Sequence, residues 1–425
     1  MKKKHHKLLA WFSFAILLLS IVLFKLGETS LSGPFLIGGF VGLAIAVRGF
    51  ELFKGFSYSL WIFTAVAVSM YYPSFFISVG DFELKKLIVP LLQVIMFGMG
   101  SQMSLKDFAG VIKMPKGVIA GIICQFTIMP IVGITVAFMF NFPPEIAAGI
   151  VLVGSSPSGM ASNVMSFLAK ANLALSVTLT AFATLLSPIM TPFLMKVFAG
   201  ELVEIDFWNM MLGIFNMVIL PIIAGLIFNL FSHGKPLFRK VVIQLVSYLL
   251  ILLLKNSISF WSTDIAFEGF VNGFFTDIFW FVVLPVIGAF LFKYLAGGDK
   301  DLLSRALSFI SMLGIAVIIT VITAAGRDSL LDVGFFLILA CLVHNLFGYG
   351  LGYSVARFVL RMKEQDCRTI ALEVGMQNGG LASGLAFQMG KVATVGLAPA
   401  IFGPMMNITG SSLAIWWRNK TQNIK

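Results

Sequence analysis

The sequence predicts an all-α polytopic membrane protein, and three observations carry that prediction. Only 12% of the 425 residues are charged and 59% are hydrophobic, whereas roughly a quarter are charged in soluble domains. Mean hydropathy is +0.97. Apolar stretches of about 20 residues, long enough to cross a bilayer as helix, recur along the whole chain. No polar stretch is long enough to hold a large soluble domain. The net charge of +11 comes from Lys and Arg gathered in short loops, which reads as membrane topology and not as a nucleic-acid surface. Met1-Lys2-Lys3-Lys4-His5-His6-Lys7 precedes an apolar run with no convincing small-residue cleavage site, so a retained signal-anchor helix is expected. Cys124, Cys341 and Cys367 are too scattered for a disulfide framework or a zinc site.

The expected spans, in chain order, are 8–26, 34–49, 58–78, 87–104, 116–141, 145–169, 172–198, 207–231, 240–260, 274–296, 303–325, 331–360, 367–389 and 391–417. With a cytoplasmic N-terminus, every second loop is basic. These loops hold Arg48 and Lys54; Lys106, Lys113 and Lys116; Lys170; Lys235, Arg239 and Lys240; Lys300 and Arg305; and Arg357, Arg361, Lys363 and Arg368. The alternate loops carry Glu28, Glu145, Glu201, Glu204, Asp264 and Glu268, with Lys85, Lys86 and Arg327 as exceptions. Both termini are therefore expected inside. Tyr71-Tyr72 and Trp416-Trp417 fall at span ends, where interfacial rings belong.

Two spans are interrupted. One carries Gly154-Ser155-Ser156-Pro157-Ser158-Gly159-Met160-Ala161-Ser162-Asn163, the other Glu373-Val374-Gly375-Met376-Gln377-Asn378-Gly379-Gly380. A carboxylate at bilayer depth costs about 2.5–3.5 kcal/mol and marks ion or substrate paths. Broken backbone survives there only inside protein or beside a wet cavity. The first broken span enters from outside and the second from inside, as inverted repeats require. Paired breaks of this kind point to a transporter's midplane site. Ser176, Thr180 and Thr184 recur every four residues, so they share one helix face after the first break. Back-bonding to their own helix accounts for such hydroxyls about half the time, but their position just after Ser162-Asn163 favours a place in the site. Gln125, a lone buried amide, reads first as interhelical glue. His344-Asn345 reads first as a structural hydrogen-bonding pair, then as a proton relay. An all-oxygen ligand set with one carboxylate suits a monovalent cation such as sodium, with a proton as the alternative. No His-Glu-x-x-His pair or Gly-x-Ser-x-Gly elbow supports an enzyme.

At these residues the chain resembles the bile acid–sodium symporter family. The matching stretches include Phe97-Gly98-Met99-Gly100, Gln125-Phe126-Thr127-Ile128-Met129-Pro130 and Gly149-Ile150-Val151-Leu152-Val153-Gly154. Further matches are Ala161-Ser162-Asn163-Val164-Met165, Ala174-Leu175-Ser176-Val177-Thr178 and the run from Glu373 to Asn378. The resemblance covers about 58–232 and 303–420. It implies two inverted five-helix repeats, a panel and a core, with the two discontinuous helices crossing in the core. Residues 58–200 would form the first repeat and 201–420 the second. Residues 1–57, and an insertion at about 233–302, would add four further transmembrane helices. Within the insertion, Val282-Val283-Leu284-Pro285-Val286-Ile287 echoes Val218-Ile219-Leu220-Pro221-Ile222-Ile223, by duplication or by chance.

The resemblance also implies two sodium sites. One would comprise Ser162, Asn163, Ser176, Thr180 and Glu373. The other would comprise Gln125, Glu373, Val374, Met376 and Gln377, with backbone oxygens at Val374 and Met376. Asn378, Met160 and Asn407 would meet an organic anion. Relatives often read Pro-Gly-Gly-Thr-Ala-Ser-Asn where this chain has Pro157-Ser158-Gly159-Met160-Ala161-Ser162-Asn163. Met406 stands where some have His. Both methionines make the expected cavity more apolar. The expected activity is sodium-coupled symport of an organic anion across a bacterial plasma membrane. A proton-coupled transporter or exporter, or a non-transporting membrane sensor, is the alternative.

Overall fold

The computed structural model describes residues 3–50, 54–104, 110–232, 238–262 and 266–422. Lys106, Lys235 and Asp264, assigned above to loops, lie outside them. The long helices are α1 (Lys3–Lys25), α2 (Thr29–Ala46), α3 (Ser57–Tyr71), α4 (Ile88–Gln102) and α5 (Pro115–Met139). The first broken span is α6 (Pro144–Ser155) followed by α7 (Ala161–Leu168), and α8 is Leu173–Ala199. Next come α9 (Phe207–Ser232), α10 (Phe238–Ser262), α11 (Phe267–Ala296), α12 (Lys300–Ala325) and α13 (Arg327–Val359). The second broken span is α14 (Glu364–Gly375) followed by α15 (Gly379–Gln388), and α16 (Leu397–Gln422) ends the described chain. Among the described residues, ten helices are long and apolar enough to cross a membrane. The protein is an integral, multi-pass membrane protein.

Packing sorts the helices into two groups. A row of four, α3–α12–α4–α9, forms the panel, each helix touching the next. The row reads the same under a two-fold exchange of α3 with α9 and α12 with α4, as inverted repeats demand. The α4–α9 contact is backbone-close: a Cβ on Gly100 would stand 2.1 Å from the Ile222 carbonyl oxygen, and one on Gly225 would stand 2.2 Å from that of Phe97. Only glycine fits at either place. The core gathers α5, α8, α13 and α16 around the two broken spans.

The additional helices extend the panel at both edges. The α1–α2 hairpin lies on α3, and α11 lies on α9 with α10 beside it. Their outer faces suit lipid: Trp11 is 70% exposed and Phe12 63%. The echoed Leu-Pro motifs share one backbone device, since π turns at Phe215–Ile219 and Phe279–Val283 end at Leu220-Pro221 and Leu284-Pro285. Proline brings no N–H to the helix ladder, and a π turn is one way a helix absorbs such a fault. Lys255 Nζ and Asn256 Nδ2 both donate to Asp277 Oδ2, at 2.9 and 2.8 Å, between α10 and α11. All three residues are buried.

Several expected details are corrected. The span expected at 58–78 stops at Tyr71, because Pro73 disfavours helical backbone at Tyr72; a β-hairpin pairing Ser78–Val79 with Phe82–Glu83 follows. Lys85 and Lys86, exceptions to the charge alternation, both pair with Glu83. Arg327 pairs with Asp328 and donates to the Met70 carbonyl at 2.7 Å. Trp417 is not an interfacial ring. It is buried, under the Arg368 guanidinium and stacked on Tyr353, while Trp416 is exposed.

Candidate functional site

The breaks follow from local chemistry. Pro157 cannot continue α6, and a Cβ would stand 3.0 Å from the Gln377 carbonyl oxygen at Gly159 and 2.1 Å from the Tyr349 ring at Gly375. The broken segments meet in a single antiparallel bridge, Ser158 opposite Gln377. Gly159 N donates to the Met376 carbonyl at 3.0 Å, and Asn378 N donates to that of Pro157 at 2.8 Å.

Side chains take up four further carbonyls at the breaks. Thr191 Oγ1 donates to Ser155 O at 2.8 Å, Gln125 Nε2 to Ser156 O at 2.9 Å and Asn345 Nδ2 to Gly375 O at 2.7 Å. Gln377 Nε2 serves the Val374 carbonyl at 2.5 Å. Thr409 holds Asn345 in turn, at 2.6 Å. These backbone groups are therefore satisfied without bulk water, as membrane depth requires.

Glu373 stands on the last turn of α14, 2% exposed. Four hydroxyls donate to it. Ser162 and Ser176 reach Oε1 at 2.6 and 2.5 Å; Ser158 and Thr180 reach Oε2 at 2.6 and 2.9 Å. Asn163 Oδ1 stands 2.8 Å from the Ser176 hydroxyl oxygen and 3.2 Å from that of Thr180, alternative acceptors for the one hydrogen each carries. The five residues expected at one sodium site thus form a single network spanning α7, α8 and α14. Among the described residues, no Lys, Arg or His pairs with Glu373. An ionised carboxylate so buried needs a compensating charge, so the cluster fits a small cation.

The residues expected at the other sodium site lie beside this network but bond mainly to each other. Gln125 Nε2 also donates to Gln377 Oε1 at 2.7 Å. The Val374 and Met376 carbonyls already accept from Gln377 and Gly159. Gln125 Oε1 is buried without a hydrogen-bond donor among the described residues, an oxygen that a cation would satisfy.

Thr184 behaves differently from Ser176 and Thr180 on the same face: its hydroxyl donates to its own helix at Thr180 O, 2.7 Å away. His344 bonds the Met129 carbonyl at 2.9 Å and Asn345 bonds the break, so the two do not pair with each other. Ser158, Thr191 and Thr409 were not anticipated. The Ser158 signal was its place inside the polar break; nothing in sequence marks the other two.

On the far side of the bridge lies a cavity of about 140 Å³ between panel and core. The panel lends apolar Ile62, Met96 and Ile318; the core lends Gly159, Gln377 and Gly380. Met160, Asn378, Asn407 and Met406 all line it. Half-helices α7 and α15 begin at this wall, with Asn378 Oδ1 capping α15 through Leu381 N at 3.0 Å. Helix N-termini carry partial positive charge and favour anions.

This geometry can be set beside known proteins. The family described as Sodium Bile acid symporter family matches residues 89–262. Over 377 residues the chain is 32% identical to the Uncharacterized sodium-dependent transporter YocS of Bacillus subtilis (strain 168), covering 88% of this chain and 95% of that one. The chain belongs to the sodium bile acid symporter family. This family member is also 29% identical over 329 residues to the Probable sodium/metabolite cotransporter BASS1, chloroplastic, of Arabidopsis thaliana; the match covers 77% of this chain and 65% of the plant protein. The sodium proton antiporter MjNhaP1 of Methanocaldococcus jannaschii aligns at TM-score 0.41 and 14% identity, over 97% of the symporter-family chain and 98% of the antiporter.

Proposed function

We propose that the protein is a sodium-coupled symporter of a small organic anion, working by alternating access at the panel–core boundary. One observation carries the reading: Glu373 is buried at the crossing, ringed by four hydroxyls and without a cationic side chain among the described residues. Sodium is the cargo that neutralises it, in a site made of Ser162, Asn163, Ser176, Thr180 and Glu373. Gln125, Gln377 and the backbone oxygens of Val374 and Met376 supply a second position as their mutual hydrogen bonds rearrange.

Coupling follows from placement. The C-terminal ends of α6 and α14 bring partial negative charge to the ion side, and the N-termini of α7 and α15 bring partial positive charge to the cavity. One bridge between Ser158 and Gln377 separates the two. A cation that orders the bridge also orders the cavity wall, so each ligand raises the affinity of the other. The apolar panel wall and two methionines select an anion with an apolar body. Two sodium ions with one monoanion move one net charge, worth about 2.3 kcal/mol per 100 mV. The repeats are assigned to 58–200 and 201–420, and the membrane to a bacterial plasma membrane with both termini inside.

Uptake of candidate organic anions into proteoliposomes tests this, after a thermal-shift screen of those anions with and without sodium. Uptake should depend on sodium and respond to membrane potential. Undiminished uptake in choline buffer contradicts it, and a dependence on pH alone would favour proton coupling.

A further inference from the structure

We infer that Ser158 is an additional sodium ligand, contributed by the break itself, which joins the two ion positions and ties them to the cavity wall. The inference rests on the ion-site reading above and deepens it. Ser158 is 1% exposed, and its hydroxyl donates to Glu373 Oε2 at 2.6 Å, the oxygen it shares with Thr180. Its backbone lies opposite Gln377, a residue of the second ion position. Ser158 therefore meets one group of candidate ligands through its hydroxyl and the other through its backbone.

Its direction is fixed by its neighbours. Pro157 before it accepts from Asn378 N at 2.8 Å, and Gly159 after it donates to Met376 O at 3.0 Å. The strand cannot turn without breaking that bridge. Gly159 and Met160 line the cavity, as do Gln377 and Asn378 from the opposite strand. Thus the Ser158 side chain faces the ions while the peptide units beside it form cavity wall. A hydroxyl carries two lone pairs as well as its hydrogen. With a cation at Glu373 it rotates its hydrogen away and offers an oxygen, with no backbone movement.

The test is a sodium titration of the purified full-length chain at constant ionic strength with choline, read by the unfolding midpoint. Ser158→Ala should raise half-saturating sodium about tenfold, the scale of one lost ligand, in addition to the lower midpoint in choline that follows from losing its hydrogen bond to Glu373. Ser158→Thr, which keeps the hydroxyl, should titrate near wild type. Ser158→Gly serves as a second hydroxyl-free variant should the alanine chain fold poorly. Hydroxyl-free variants that titrate like wild type, while Ser176→Ala loses the response, overturn the role of Ser158 alone. If Ser176→Ala and Glu373→Gln also titrate like wild type, the ion-site reading itself is overturned.

Discussion

Asn172 Nδ2 donates to Asp366 Oδ1 at 2.8 Å, tying the exit of one broken span to the entrance of the other. Thr369 Oγ1 accepts from Asn172 N at 2.9 Å, and Arg368 donates to Ala169 O at 3.1 Å. At the opposite mouth Lys391 and Thr394, beyond α15, both bind Glu145 at the start of α6. Each broken span is thus latched where the other begins. The symmetry expected of the repeats appears here in side-chain chemistry.

Asn172 also caps α8, accepting from Leu175 N at 3.2 Å. Asn172→Ala removes cap and latch together and should cost about 1–2 kcal/mol. Asn172→Asp keeps the cap but sets a carboxylate against Asp366, so it should regain only part of that. Thermal unfolding in detergent at fixed sodium measures both.

The buried pair Lys255–Asp277 should show the asymmetry of ion pairs away from water. Lys255→Met or Asp277→Leu alone leaves one buried charge unmatched and should destabilise by about 3–5 kcal/mol. The double variant should fall well short of the sum. Unfolding midpoints of the four chains form the cycle; additive losses would mean that the residues act independently.

Thr180 and Thr184 share a helix face but should differ in effect. Thr180→Val removes a hydroxyl from Glu373 and should reduce sodium-driven uptake about tenfold at subsaturating sodium. Thr184→Val removes a bond internal to its helix and should leave uptake within about twofold. Equal losses would show that the face matters as packing.

Met160 and Met406 shape the cavity without touching Glu373. Met160→Thr and Met406→Asn should shift preference toward more polar anions while half-saturating sodium, measured with each anion saturating, stays the same. Competition among anions in the uptake assay, repeated at several sodium concentrations, reads both.

Residue type made the breaks and the buried carboxylate legible, because glycine, proline and a carboxylate are costly in a membrane helix; the crossing and the set of residues around Glu373 were implied by the family resemblance. Spacing alone could not separate Thr180 from Thr184, since four-residue intervals put both on one face and only the neighbouring helix decides. Lys255 and Asp277 were overlooked inside the additional spans 240–260 and 274–296. Their signal was a cation well inside one apolar span, Lys255, and an anion in the next, Asp277. The panel order was beyond reach, because apolar helices have no partner-specific pattern and close contacts such as Gly100–Ile222 emerge only from packing.

The central claim, that Glu373 holds the coupling cation, is tested most directly by equilibrium binding of radioactive sodium to the purified chain. Wild type should bind saturably, with more than one ion per chain. Glu373→Gln, matched in size and retaining the wild-type helical content, should fall to background. Saturable sodium binding by Glu373→Gln at wild-type affinity and stoichiometry would contradict the account.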